Sequence, residues 1–286
     1  RRQRQMCIRD RVFGAFAKFS FFKEDSAIPD FVRQWFDSLL PIMLVIAGGW
    51  LIVQVAGVDV AGAVQAVFMP LQSALTSPVG FVFFCFLKCF IYSMGISTWV
   101  LTPVDEPVKL AVITANLELV AAGVATYQNL GIFTETFMFC TYLWIGGIGC
   151  TLSLCLLMMT ICKSSELKAL GRACIVPGIF NINEPIIFGA IAWNPLLMLP
   201  MWIQGIILPI VTYLFTKVIP FAPIPRIQFD LWYCPYPIST FISTQGSITG
   251  VIFAILTFVL SAVIWFPFVK AYDDQKVKEE TAAIKA

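Results

Sequence analysis

The chain has 286 residues, 59% of them hydrophobic and 13% charged, with a mean hydropathy of +0.84 and a formal net charge of +2. That composition lies far outside the range of water-soluble domains and makes the bilayer the expected solvent. Histidine is absent, which excludes imidazole acid–base catalysis and His-ligated metal sites.

The chain opens with RRQRQMCIRDR, which holds five arginines. The string reads either as a basic arm meeting anionic lipid or, preferably, as non-native sequence at the end of a truncated fragment. SAIPDFVRQWFDSLLP leads into a first apolar span at 37–57, with Pro29 near the helix entry. Residues 58–77, less apolar and interrupted by Pro70, read as an interfacial helix. A second span covers 79–100 and ends in SMGISTWVLTP; Lys88 within it is expected to snorkel or to pair with a carboxylate. The stretch 105–130 has helical periodicity and places Asn116 and Glu118 where burial is costly. Asp105 and Glu135 fall at span ends, where the expectation is simple solvation.

A long continuous span is predicted over 137–162, with Gly146, Gly147 and Gly149 permitting close helix approach. It ends in the basic connector KSSELKALGR at 163–172. Further spans are predicted at 193–218 and 248–269, separated by a Pro- and aromatic-rich loop too polar to cross. The charged tail KAYDDQKVKEETAAIKA reads as a solvated cytoplasmic end. Basic residues at the start, in the connector and in the tail place those three segments in the cytoplasm. Five crossings do not close that topology, so the 58–77 or the 107–126 helix must supply another, or the basic start misleads. The cysteines sit mostly inside apolar runs, without metal spacing, and read as small hydrophobes. The fold class is therefore all-α: a polytopic helical membrane protein with interfacial helices and, at its most polar point, a re-entrant hairpin.

That point is GIFNINEPIIFG at 178–189. Pro177, Pro185, Gly178 and Gly189 bracket it, so a straight helix is excluded. Irregular backbone at membrane depth survives only where protein or an aqueous cavity satisfies it, which makes a hairpin the natural construction. Glu184 is the strongest functional candidate, because an unpaired carboxylate in hydrocarbon costs several kcal/mol. Asn181 and Asn183 add polar groups on the same turn. Amides and a carboxylate without a cation-rich or aromatic-cage setting suit a neutral, hydroxyl-bearing ligand, and a sugar fits better than an anion. No nucleophile–base pair or metal set is legible in the spans.

GIFNINEPIIFGAIAWNPLLMLP resembles the signature of the lactose/cellobiose/chitobiose class of enzyme IIC, the membrane permease of the bacterial sugar phosphotransferase system. IPDFVRQWFDSLLP, TANLELVAAG and WFPFVKAYDDQKVKEE resemble further segments of that family, so the likeness covers about residues 27–280. It divides the chain into a basic N-terminal segment (1–26), an enzyme IIC-like transport region (27–270) and a cytoplasmic tail (271–286). The resemblance implies a homodimeric multi-pass permease of the bacterial cell membrane, in which two re-entrant hairpins carry a disaccharide or related glycoside across by an elevator-like movement. It implies IIA and IIB partner proteins, the latter passing a phosphoryl group from a cysteine to the sugar 6-hydroxyl. It implies no cofactor, no metal and no nucleic-acid partner. Glu184 matches the family's hairpin glutamate, with Asn183 beside it. Where the family carries Gly-Ile-His-Gly, this chain has Ser97 in place of His and Thr98 in place of the last Gly. A hydroxyl donates one hydrogen bond but does not titrate near neutrality. The substrate-binding expectation is Glu184, Asn183, Ser97, Asn181 and Asn116, with a transporter or sensor lacking coupled phosphorylation as the alternative.

Overall fold

The computed structural model describes residues 30–57, 59 and 71–285, and all regular structure among them is helical. The readings of RRQRQMCIRDR and of most of the 58–77 helix fall outside these residues. The chain divides into two units, Arg1–Val64 and Gln65–Ala286. In the first, helix α1 (Asp30–Trp50) continues into a π-helical turn (Leu51–Val55). Its exposed residues include Ile42, Met43, Ile46, Trp50 and Val55. A helix apolar on its open faces is at home in lipid.

In the second unit α2 (Pro78–Ser93) is N-capped by Ser77, whose side chain accepts from the Gly80 amide, and a Pro at its first position suits the helix start. A 3₁₀ turn (Thr98–Leu101) leads to α3 (Thr102–Ala121). Then come α4 (Glu135–Cys140), α5 (Thr151–Thr160), α6 (Ser165–Ile179), and α7 (Glu184–Ile186) with its π extension (Ile187–Ile191). Helix α8 (Pro195–Tyr213, extended by a π turn to Val218), α9 (Ile238–Ser243) and α10 (Ile248–Lys285) complete the chain. Helix α8 packs on α2 and α10, and α5 packs on α6 and α10. At Gly171 a Cβ would lie 2.8 Å from the Met159 nitrogen, so the missing side chain sets how closely α6 approaches α5. Among the described residues two helical stretches, Pro195–Val218 and Ile248–Ala283, are long and apolar enough to cross a membrane.

Helix α10 shows what the solvent is. Ile248, Ile252, Ile255, Val259, Val263 and Phe266 form an exposed stripe, while Phe253, Thr257, Ser261, Trp265 and Val269 are buried. Apolar residues face outward and hydroxyls face inward, the arrangement lipid selects.

The predicted continuous span at 137–162 is absent. Helix α4 stops at Cys140 and α5 starts at Thr151, with a wholly buried irregular segment between them. Cys150, Gly146, Gly147 and Gly149 all have positive φ there, which a helix does not permit. The break persists because neighbours take its carbonyls. Thr240 Oγ1 donates to Thr141 O at 2.8 Å, Thr257 Oγ1 to Tyr142 O at 3.2 Å, and Thr151 Oγ1 to Gly146 O at 2.6 Å. Trp265 Nε1 donates to Gly149 O at 3.3 Å, and Ser153 Oγ to Cys150 O at 2.8 Å. Each donor removes a desolvation cost of about 1–3 kcal/mol.

The charged tail is not a free end either. It continues α10 without interruption, and Asp273, 5% exposed, accepts from the backbone amides of Lys163 and Ser164 at 2.8–2.9 Å. Glu280 accepts from Ser164 Oγ at 2.7 Å and the Glu166 amide at 3.1 Å. The connector's helix, α6, thus begins under a carboxylate cap borrowed from the tail, where the unpaired N–H groups of a helix start favour negative charge.

A carboxylate-lined cavity at the meeting of two broken helices

The tip of the α6–α7 hairpin, residues 180–183, rests on the Gly-rich break between α4 and α5. Asn181 has φ +60, a conformation Asn tolerates. Its Oδ1 accepts from the Gly146 amide at 2.7 Å, and its Nδ2 donates to the carbonyls of Trp232 and Cys234. Asn183 Nδ2 donates to Ile148 O at 2.9 Å, while its Oδ1 accepts from the Tyr92 hydroxyl at 3.4 Å. A Cβ on Gly147 would lie 2.4 Å from Asn183 Cγ, so only glycine lets the Asn183 side chain lie this close to the break. The polar cluster therefore fastens the hairpin, and one residue of it points elsewhere: Glu184, the first residue of α7, is exposed to a cavity.

The cavity has a volume of about 370 Å³, within the range of about 300–1,000 Å³ that holds small ligands. Glu184, Asn181, Asn183 and Ser97 all line it. Ser97 arrives through the turn after α2, which is held by the Trp193 amide donating to Ser93 O at 3.1 Å and by Trp202 Nε1 donating to Ser93 Oγ at 2.8 Å. Ser97 Oγ also accepts from the Trp99 amide at 3.4 Å and is exposed. Asn116 lies elsewhere: it is buried, and its amide group both donates to and accepts from Gly131, at 2.8 and 2.7 Å. It is absent from the cavity lining.

A chain of charges forms another wall. Lys88 on α2 meets Asp105 on α3 at 2.7 Å, and Lys109 meets Asp105 at 3.4 Å, Glu106 at 2.7 Å and Glu135 on α4 at 2.6 Å. The Lys88 ammonium also lies over the rings of Phe84 and Phe139, 5.2 and 5.4 Å from their centroids. Asp105 is wholly buried, and its Oδ1 has no hydrogen-bond partner among the described residues. Asp105 and Glu135 are thus not the solvated span ends expected from sequence; the fold turns them inward onto two lysines, because a charge held in the apolar interior needs a partner. Lys88 pairs with a carboxylate, as expected. Among the described residues no group of His, Cys, Asp and Glu is arranged to hold a metal ion.

The family model "Phosphotransferase system, EIIC" matches residues 16–205. The chain belongs to the phosphotransferase-system EIIC family. It is 32% identical over 261 residues to the lactose-specific EIICB component of Lactococcus lactis subsp. lactis, covering 88% of this chain and 44% of that protein. It is 32% identical over 267 residues to the cellobiose-specific EIIC component of Geobacillus stearothermophilus, covering 91% and 58%. It is also similar to the crystal structure of the transporter ChbC, the IIC component of the N,N'-diacetylchitobiose-specific phosphotransferase system, with a TM-score of 0.70 and 30% identity over 96% of this chain and 64% of that one. The chain spans about half the length of the known relatives it matches.

Within the EIIC frame, four of the five expected residues border one cavity. The sequence reading missed Lys109, Glu106, Asp230 and Trp232, which also line it. The first two carry a signal in DEPVK, whose i,i+3 and i,i+4 charges lie on one helix face. Asp230 and Trp232 come from the loop after α8 and have no periodicity to reveal them.

Proposed function

We propose that the chain is the sugar-binding and translocating region of an EIIC permease in the bacterial cell membrane, taking a disaccharide or related glycoside whose transport is coupled to phosphorylation by a IIB partner supplied through IIA. The carrying observation is that Ser97 and the adjacent pair Asn183 and Glu184, far apart in sequence, border one cavity where two broken helices meet. Broken helices at such a place are the construction transporters use for binding sites. The relatives named for lactose and cellobiose, and the lichenan permease IIC component of Bacillus subtilis, 31% identical over 266 residues, support a glycoside as cargo. A homodimer is the assembly the family likeness favours.

In this reading Glu184 accepts from a sugar hydroxyl and orients it; with that hydroxyl as the phosphoryl acceptor, the same carboxylate can receive its proton. Asn183 holds the tip against Ile148 and Tyr92, so Glu184 has a fixed base. Glu184→Ala should weaken binding of the cognate sugar roughly 10–100-fold, the loss of one or two charge-assisted hydrogen bonds, and abolish uptake while membrane insertion is unaffected. Unchanged uptake by cells carrying that variant would refute the assignment.

A second reading, transport without phosphorylation, is favoured by one observation: Ser97 stands where the family has histidine, and no histidine exists elsewhere in the chain. Labelled sugar recovered from cells only in unphosphorylated form would select it.

A further inference from the structure

We propose that the cavity prefers a glycoside bearing a protonated amine to its neutral counterparts, an inference that rests on reading the cavity as a sugar site. Glu106, Glu135, Glu184 and Asp230 face it, and Asp105 lies behind Lys88 and Lys109. Two ammoniums stand against five carboxylates, a formal excess of three negative charges.

Both ammoniums are already engaged. Lys88 is held at 2.7 Å by Asp105, and Lys109 is shared among Asp105, Glu106 and Glu135. Glu184 and Asp230 make no ion pair among the described residues. Among the described residues the Asp230 carboxylate accepts from Gln228 Nε2, a neutral donor that leaves the charge in place.

The lining is also rich in aromatic side chains. Trp99, Trp232, Phe139, Phe188 and Tyr92 border the same space, and Trp99 is 70% exposed. Carboxylates without an ion pair, as Glu184 and Asp230 are among the described residues, set beside aromatic rings are the chemistry that recognises an ammonium, since both the ionic charge and the negative face of an indole favour a cation. A neutral sugar gains hydrogen bonds from these groups and nothing from their charge. An acidic sugar meets net repulsion.

The test uses the full reading frame that carries this chain, purified in detergent, with binding measured by calorimetry for three β-1,4-linked disaccharides: glucosamine disaccharide with free amines, its N,N'-diacetyl form, and cellobiose. The amine form should bind about tenfold more tightly than either neutral one, and Asp230→Asn should lower that ratio several-fold. Equal or tighter binding of the neutral disaccharides overturns the charge preference and leaves the sugar site standing. If none of the three binds, both the preference and the site reading fail. The wild-type ratio decides the matter even if the Asp230→Asn protein does not elute as a single species.

Discussion

Asn181 shows how one side chain can hold a tip in place. It combines φ +60 with hydrogen bonds to three backbone groups, from Gly146 and to Trp232 and Cys234. Asn181→Ala would leave the Gly146 amide and two carbonyls unpaired and place a Cβ in a left-handed conformation. The expected cost is about 2–4 kcal/mol, read as a lowered thermal midpoint in detergent, and Asn181→Asp should recover part of it by retaining the acceptor. Glu184 and Asn183 were legible from GIFNINEP because polarity and helix breakers together are rare in an apolar run. The division of labour between them was not: which side chain clamps backbone and which faces the cavity depends on Ile148 and Tyr92, 35 and 91 positions away.

Among the elements, α2, α3 and α4 are joined through the chain Lys88–Asp105–Lys109–Glu135. Removing one partner of a buried pair leaves the other charge uncompensated, which costs about 3–5 kcal/mol, whereas removing both costs far less. Lys88→Met should therefore lower the midpoint strongly, and Lys88→Met with Asp105→Asn should be the more stable protein of the two. A double-mutant cycle on thermal midpoints measures this; additive effects would mean that the 2.7 Å contact carries no coupling. The same scale shows where periodicity misleads. The run 137–162 is apolar from end to end, and hydropathy alone makes it one span. The signals for its interruption lie on other helices, in the hydroxyls of Thr240, Thr257 and Ser261, which donate to the carbonyls of the broken backbone. The spans at 193–218 and 248–269 were legible because each is a single long helix whose own composition decides it.

For the molecule as a whole, membrane character was readable from composition, and the structure gives it a physical form in the outward apolar stripe of α10. At the cytoplasmic end predicted from charge, the amides of Ser165 and Glu166 and the hydroxyls of Ser164 and Ser165 hold the Glu280 carboxyl at about 2, below its ordinary value of 4.5. A depressed carboxyl stabilises the folded contact at pH values above 4.5 and loses that contribution as the pH falls from there toward 2. The amide resonances of Ser165 and Glu166 should shift over that acid range in the wild type and stay level in Glu280→Gln. A wild-type titration centred at an ordinary glutamate value would show that the contact is absent in solution.

The tail's grip on the connector has a mechanical consequence. Helix α6 starts under Glu280 and ends at the tip that presents Glu184, 15 residues or about 22 Å away. A strut anchored at its far end cannot slide along its own length. The carboxylate can instead change its position by flexing at Pro177 and Gly178, just below the tip, or by travelling with α10 as ballast.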